Sequence, residues 1–113
     1  MAELFIKGFI VHLIVDFFLQ PDWIADNKMN FSHPAAWMHG ALNIAGNLLV
    51  FAPLIAIGLG ITHILIDTRV PLVWWRRLLR QNPQGEDAST FYLLQDQAAH
   101  LIFLGVAVVL SGQ

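Results

Sequence analysis

Polar side chains recur every four residues inside otherwise apolar stretches, and this periodicity constrains the chain more than any other feature. In FIVHLIVDFFLQ, residues 9–20, His12, Asp16 and Gln20 share one helix face. The spacing returns as His39, Asn43 and Asn47, then as His63 and Asp67, and in reverse order as Asp96 and His100. Ionisable groups inside a membrane-like sequence are expensive, so four such stripes in one short chain call for a shared purpose.

The stripes lie in a chain with the composition of a membrane protein. Hydrophobic residues make up 57% of the sequence and charged residues 12%, against about 25% charged in soluble domains. Residues 1–113 have the length of one domain. A net charge of −2 gives no footing for nucleic acid. The absence of cysteine excludes disulfides, thiolate metal sites and a cysteine nucleophile. The first apolar segment contains His12 and Asp16, and no small-residue cleavage pattern follows before Pro21, so it reads as a retained span and not as a signal peptide.

Four helices are expected. The first runs from about Glu3 to Gln20, where Pro21 ends it by disfavouring helical geometry in the residue before it. Its 18 residues would reach ~27 Å at ~1.5 Å each, close to the ~30 Å hydrocarbon core. Residues 21–33 read as a polar connection whose Trp23 and Phe31 suit a membrane interface. Ser32 is the expected cap of the next helix, with Pro34 in its first turn. The stretch from Pro34 to Asp67 is too long for one crossing, at ~51 Å. A single span over residues 41–67 would leave His39 and His63 ~36 Å apart. Two short helices, 34–50 and 53–67, with a break at Phe51–Pro53, bring them together. VPLVWWRRLLR, residues 70–80, pairs Trp74 and Trp75 with three arginines and reads as a helix lying in the interface. Residues 81–87 form a loop, and the last helix runs from Ser89 to Leu110. The fold class is therefore all-α: an integral membrane bundle of four short transmembrane helices, up-down-up-down, with an interfacial helix between the third and fourth.

In that topology every stripe falls in the same half of the membrane. The two connections on that side carry Lys28, Arg69, Arg76, Arg77 and Arg80 against Lys7 on the other. Five to one places that side in the cytoplasm and both termini outside. Imidazole and carboxylate at i, i+4 on facing helices is how bundles build metal sites. The candidate ligands are His12, Asp16, His39, His63, Asp67, Asp96 and His100. Nitrogen and oxygen donors suit a divalent metal, zinc before manganese or iron. Seven candidates exceed the four usual at one zinc, so either two metals bind or some residues orient the ligands. Three ionised aspartates against one divalent cation leave −1, which a second cation, a histidinium or Lys28 would offset.

The competing reading is a hydrogen-bonded polar network that fixes helix packing with no ion. It suits the Asn43/Asn47 stripe better than a ligand role does. Gly58 and Gly60 read as close helix contacts, since nothing around them resembles a phosphate loop.

The combination H-x3-D-F-x2-Q at His12–Gln20, Asn27–Lys28, His39, H-x3-D at His63–Asp67 and D-Q-x2-H at Asp96–His100 resembles a family of bacterial and phage membrane proteins catalogued as domain of unknown function 3307. A basic residue shortly after the third-helix Asp belongs to the pattern, a place that Arg69 fills. The resemblance covers nearly the whole chain and implies a small multi-helix membrane protein of the bacterial inner membrane, with no established activity. More loosely, the His/Asp patterns are similar to membrane-bound proteins named as metal-dependent hydrolases.

Two functions are expected from these residues. One is a metal-dependent hydrolase acting on a lipid headgroup or other phosphoester, with metal-activated water as nucleophile and Asp16 or Asp96 as general base. The other is a non-catalytic membrane subunit whose polar network packs helices and whose surface binds a larger assembly or further copies of itself. An ion or proton path ranks behind both, because four short helices leave little room for alternating access.

Overall fold

The computed structural model describes residues 1–112, and it is helical throughout, with no strand among the described residues. Helix α1, Ala2–Leu13, runs on into a π-helical segment, Ile14–Phe18, in which Leu19 N–H donates to Ile14 O at 2.8 Å. A turn closed five residues apart is wider than an α turn and often lies at a functional position. Here it buries Val15 and Asp16 while Phe17, Phe18 and Leu19 face outward. The helix ends there, so Gln20 lies beyond it and not on the His12/Asp16 face that the spacing suggested.

Residues 21–33 hold a short helix as well as turns, which is a correction to the expected polar connection. Pro21 caps α2, Asp22–Asn27, and Asp22 in its first turn complements the helix dipole. Ile24 is fully buried, so this segment is anchored by packing against α3. Helix α3, Pro34–Asn47, starts with proline in its first turn as expected. Its cap is His33 and not Ser32, since His33 Nδ1 accepts from Ala35 N–H at 3.0 Å. Helix α4, Pro53–Asp67, follows a short turn, and α5, Val70–Leu78, is the expected Trp/Arg segment. Arg76 ties α5 to the last helix, donating to Gln95 Oε1 at 2.7 Å and lying 4.5 Å from the centre of the Tyr92 ring. That last helix is α6, Ala88–Ser111.

Helices α1, α3, α4 and α6 form a ring: α1 packs on α3 and α6, and α4 packs on the same two. The end of α1, the start of α3, the end of α4 and the first half of α6 meet at one end of this ring. At the other end Phe51, from the apolar α3–α4 turn, packs with Leu104, Ala107 and Val108 of α6. This contact explains why the turn is apolar: it folds back to close the core.

Of the four expected crossings, one is supported by length and composition. Helix α6 has 24 residues and a mean hydropathy of 1.7 over its most apolar window, which at ~1.5 Å per residue exceeds the ~30 Å hydrocarbon core. Helices α4 and α5 pass the same criterion only as a pair bent by 65°. Pro53 and the preceding turn divide residues 34–67 into helices of 14 and 15 residues, each nearer ~22 Å. Many large apolar side chains face outward all round the ring, among them Ile6, Phe18, Leu54 and Ile102.

The tightest contact is between α3 and α4. A Cβ on Gly60 would run into Ile44 and stand 3.4 Å from Gly40 O, and one on Gly40 would run into Ile64. Gly58, grouped with Gly60 by sequence, meets nothing within 4 Å. Gly60→Ala is expected to destabilise the fold by about 1–3 kcal/mol through overpacking. Gly58→Ala is expected to be neutral or to stabilise by up to about 1 kcal/mol, because alanine costs less than glycine in a helix. Thermal unfolding of the two variants in one detergent checks this; equal melting points would remove the close approach from the account.

Candidate metal centre

The seven histidines and aspartates singled out by spacing are all buried, and they form one connected cluster where the four helices meet. At its centre four atoms converge from three elements: Asp16 Oδ1 from the π segment, His39 Nε2 from α3, and His63 Nε2 and Asp67 Oδ2 from α4. Asp16 Oδ1 lies 3.0 Å from His39 Nε2 and 3.1 Å from His63 Nε2. Asp67 Oδ2 lies 3.4 Å and 3.2 Å from the same two nitrogens, which are themselves 2.8 Å apart. Ligands placed tetrahedrally at about 2.0–2.1 Å from a cation stand about 3.3–3.4 Å from one another.

Asp16 Oδ1 and Asp67 Oδ2 each lie within ion-pair distance of two imidazole nitrogens. Neither these oxygens nor Asp16 Oδ2 accepts a well-angled hydrogen bond. Buried carboxylates of this kind cost free energy unless a histidinium or a metal cation compensates them. The His/Asp groups here could hold a metal ion, with three-residue sets His12–Asp16–His63, His39–His63–Asp67 and Asp67–Asp96–His100 each close enough to share one.

The remaining residues surround this centre. His12 Nε2–H donates to Gln97 Oε1 at 2.9 Å, and its Nδ1 is 3.6 Å from Asp16 Oδ2. His100 Nε2–H donates to Asp67 Oδ1 at 3.3 Å and lies 3.7 Å from Asp96 Oδ2. The Asn43 carboxamide meets His63 Nδ1 at 3.2 Å, and Asn47 donates to both Asn43 oxygens at 2.9 Å. The asparagine stripe therefore orients a central histidine, so it acts on the cluster as well as on packing. His39 Nδ1 is buried with no such partner. His33 stands apart as the α3 cap.

Spacing did not find two of the surrounding groups, Gln97 and Lys28. Gln97 follows Asp96 directly and reaches His12 from off the stripe. Gln20, the third member of the first stripe, lies beyond the helix but still borders the cluster, with its Oε1 buried without a partner. Lys28, whose charge was one possible offset, comes within 3.9 Å of Asp67 Oδ1. A cavity of about 140 Å³ opens beside the cluster, with Asp16, Gln20, Lys28, Asp67, Arg69 and Asp96 on its border together with the apolar Phe17, Met29 and Leu93.

Fold and site together define an all-helical protein with a buried His/Asp cluster, capable of holding a metal ion, at one end of an outwardly apolar four-helix ring. The pattern of the family described as protein of unknown function (DUF3307) matches residues 4–113, and the chain belongs to that family. No curated protein and no solved structure matches the chain.

The geometry ranks the histidines. His39→Ala, which removes a central nitrogen, is expected to abolish binding of zinc titrated into the purified protein. His12→Ala is expected to weaken it by about 10- to 100-fold, the loss typical of a residue that orients a ligand. Calorimetric titration of both variants checks the order, and equal losses would place His12 among the ligands.

Proposed function

We propose that this is an integral membrane protein whose His/Asp cluster holds a divalent cation, zinc by its donor set, and hydrolyses a phosphoester at the cytoplasmic face. The observation that carries the reading is the convergence of two imidazole nitrogens and two buried carboxylate oxygens beside a cavity bordered by three aspartates. Two nitrogens and two oxygens form a donor set that suits zinc. A bound divalent cation of this kind brings the pKa of water to ~7 and polarises a phosphoryl oxygen.

The protein's own residues supply the rest. Asp16 and Asp67 border the cavity, so water and substrate reach the cluster from that side. Asp96 borders it too, and its Oδ2 accepts a hydrogen bond only from Gln97 Nε2, at 3.3 Å. Of the two candidate bases, Asp96 is therefore free to take a proton from water, while Asp16 is engaged at the centre. Cys is absent and the three serines, Ser32, Ser89 and Ser111, lie outside the cavity, which leaves water as nucleophile.

The membrane setting is supported by α6, by the outward apolar faces, and by the position of Trp74, Trp75, Arg76 and Arg77 on α5 next to the cluster end. Lys28, Arg69, Arg76, Arg77 and Arg80 accompany the cluster end of the chain, while Lys7 lies in α1 before it. This asymmetry favours a cytoplasmic cluster and termini outside. Cysteines introduced at Ser89 and Ser111 are expected to react with an impermeant thiol reagent from opposite sides of the membrane. Reaction from one side would overturn the orientation and the crossing by α6.

Asp67→Asn separates the metal site from a packing network. It retains size and hydrogen-bonding capacity while removing one negative charge. A network without a cation tolerates or gains from the change. A metal site loses an anionic ligand, so the stabilisation of the folded state by added zinc should fall. Melting temperatures of wild type and variant, each with zinc and with chelator, are expected to differ only with zinc. If they agree in both conditions, and zinc-loaded wild type releases no product from phosphoesters, the non-catalytic membrane subunit is the correct reading.

A further inference from the structure

Two cations border the cavity beside the cluster, half-buried Lys28 and exposed Arg69. The Lys28 side chain is 17% exposed and its Nζ lies 3.9 Å from Asp67 Oδ1, a loose ion pair that leaves its three donors available to a ligand in the cavity. Arg69 borders the same cavity and forms no ion pair among the described residues, although Asp16, Asp67 and Asp96 line it too.

The backbone at Arg69 is also unusual. It sits at the junction of α4 and α5 with φ 65 and ψ −1, the left-handed region. A long side chain there is uncommon; Arg80, after α5, shares the conformation, and of the two it is Arg69 that borders the cavity. Glycine would meet the turn at lower cost. The junction bends the chain by 65° and leaves the guanidinium, with five donors in a fixed fork, at the cavity border.

Charge selects the ligand. Asp16, Asp67 and Asp96 contribute −3, while one divalent cation, Lys28 and Arg69 contribute +4, leaving +1 at the cavity. We propose that Lys28 and Arg69 form an anion subsite facing the metal cluster, and that the group it takes is a singly charged phosphodiester. This deepens the reading above and rests on it for the bound cation as well as for the reaction, which is why zinc content is measured beside binding. In that reaction the water oxygen bonds to phosphorus and one ester P–O bond breaks. Asp96 takes the proton from water and returns it to the departing alkoxide, giving an alcohol and a phosphomonoester. Gln20, whose Oε1 is buried without a partner on the same cavity wall, accepts from a hydroxyl or ammonium on the alcohol.

The chemistry is shared by phospholipids and soluble diesters, and the experiment separates them. Zinc-loaded protein in detergent is titrated with dimethyl phosphate and with inorganic phosphate, while zinc content is measured for every variant. Dimethyl phosphate is expected to bind at least tenfold more tightly than inorganic phosphate. Arg69→Gly and Lys28→Gln are expected to weaken it at least tenfold. Arg69→Gly should do so with zinc content unchanged and thermal stability equal or higher, since glycine suits the left-handed backbone. Displacement of dimethyl phosphate by phosphatidylglycerol in nanodiscs assigns the site to a lipid diester, and no displacement to a soluble one. Absence of binding, a preference for inorganic phosphate, or binding that survives both substitutions overturns the subsite. If the subsite binds as expected while no diester is turned over, the hydrolase reading alone fails.

Discussion

Three carboxylates are buried together at one end of an apolar ring of helices, and compensating their charge is the constraint on which the rest of the structure depends. Ionised groups removed from water must be paired, hydrogen-bonded or bound to a cation. The chain meets this need partly with its own side chains. His100 and Lys28 flank one oxygen of Asp67, His12 lies beside Asp16, and Gln97 donates to Asp96. What these contacts leave over is concentrated at one place, where Asp16 and Asp67 meet His39 and His63. The architecture gathers this charge at a single point, which could hold a metal ion.

That gathering depends on two local features of the backbone. The first is the contact of α3 and α4 at Gly40 and Gly60, where the absence of side chains lets the helices come close. His39 adjoins Gly40 and His63 lies one turn beyond Gly60, so the two Nε2 atoms meet at 2.8 Å. The second is the π segment at Ile14–Phe18, which widens the turn bearing Asp16 where α1 borders α3. A regular helix would carry the His12 face on to Gln20; here the helix stops and the chain turns into α2, which is followed by Lys28. Both features put shape ahead of helix propensity, at the position where the polar groups converge.

Much of the fold was legible because membrane-like helices announce themselves by composition and by proline. The break in residues 34–67, the Trp/Arg helix α5 and the last helix lie within a few residues of their expected bounds, since Pro34, Pro53 and Pro71 mark first turns that the chain obeys. Helix α2 escaped because its signal is only six residues, half of them polar, held by one buried side chain, Ile24. His33 displaced Ser32 as cap because the helix starts at Pro34, which makes His33 the residue before it, and its ring nitrogen accepts from a first-turn N–H as a serine hydroxyl would. The expectation of four crossings overreached for a different reason. Periodicity reports an apolar helix, whereas crossing also needs length, and the same prolines that delimit α3 and α4 keep them short.

The sequence by itself determined that polar pairs would lie on helix faces, because a four-residue repeat is a property of local geometry and needs no tertiary partner. It also determined that the pairs would meet at one end, once the turns made neighbouring helices antiparallel. Only the tertiary structure decided which members form the centre and which surround it. His12 and His63 carry the same i, i+4 aspartate signature, yet one faces Gln97 and the other faces His39. The difference lies in rotation and approach of whole helices, set by Gly40, Gly60 and the π turn, and no spacing along a single helix encodes a distance to the next. Lys28 and Arg69 came to the cavity the same way, through a short helix and a left-handed junction that bring distant parts of the chain to Asp67.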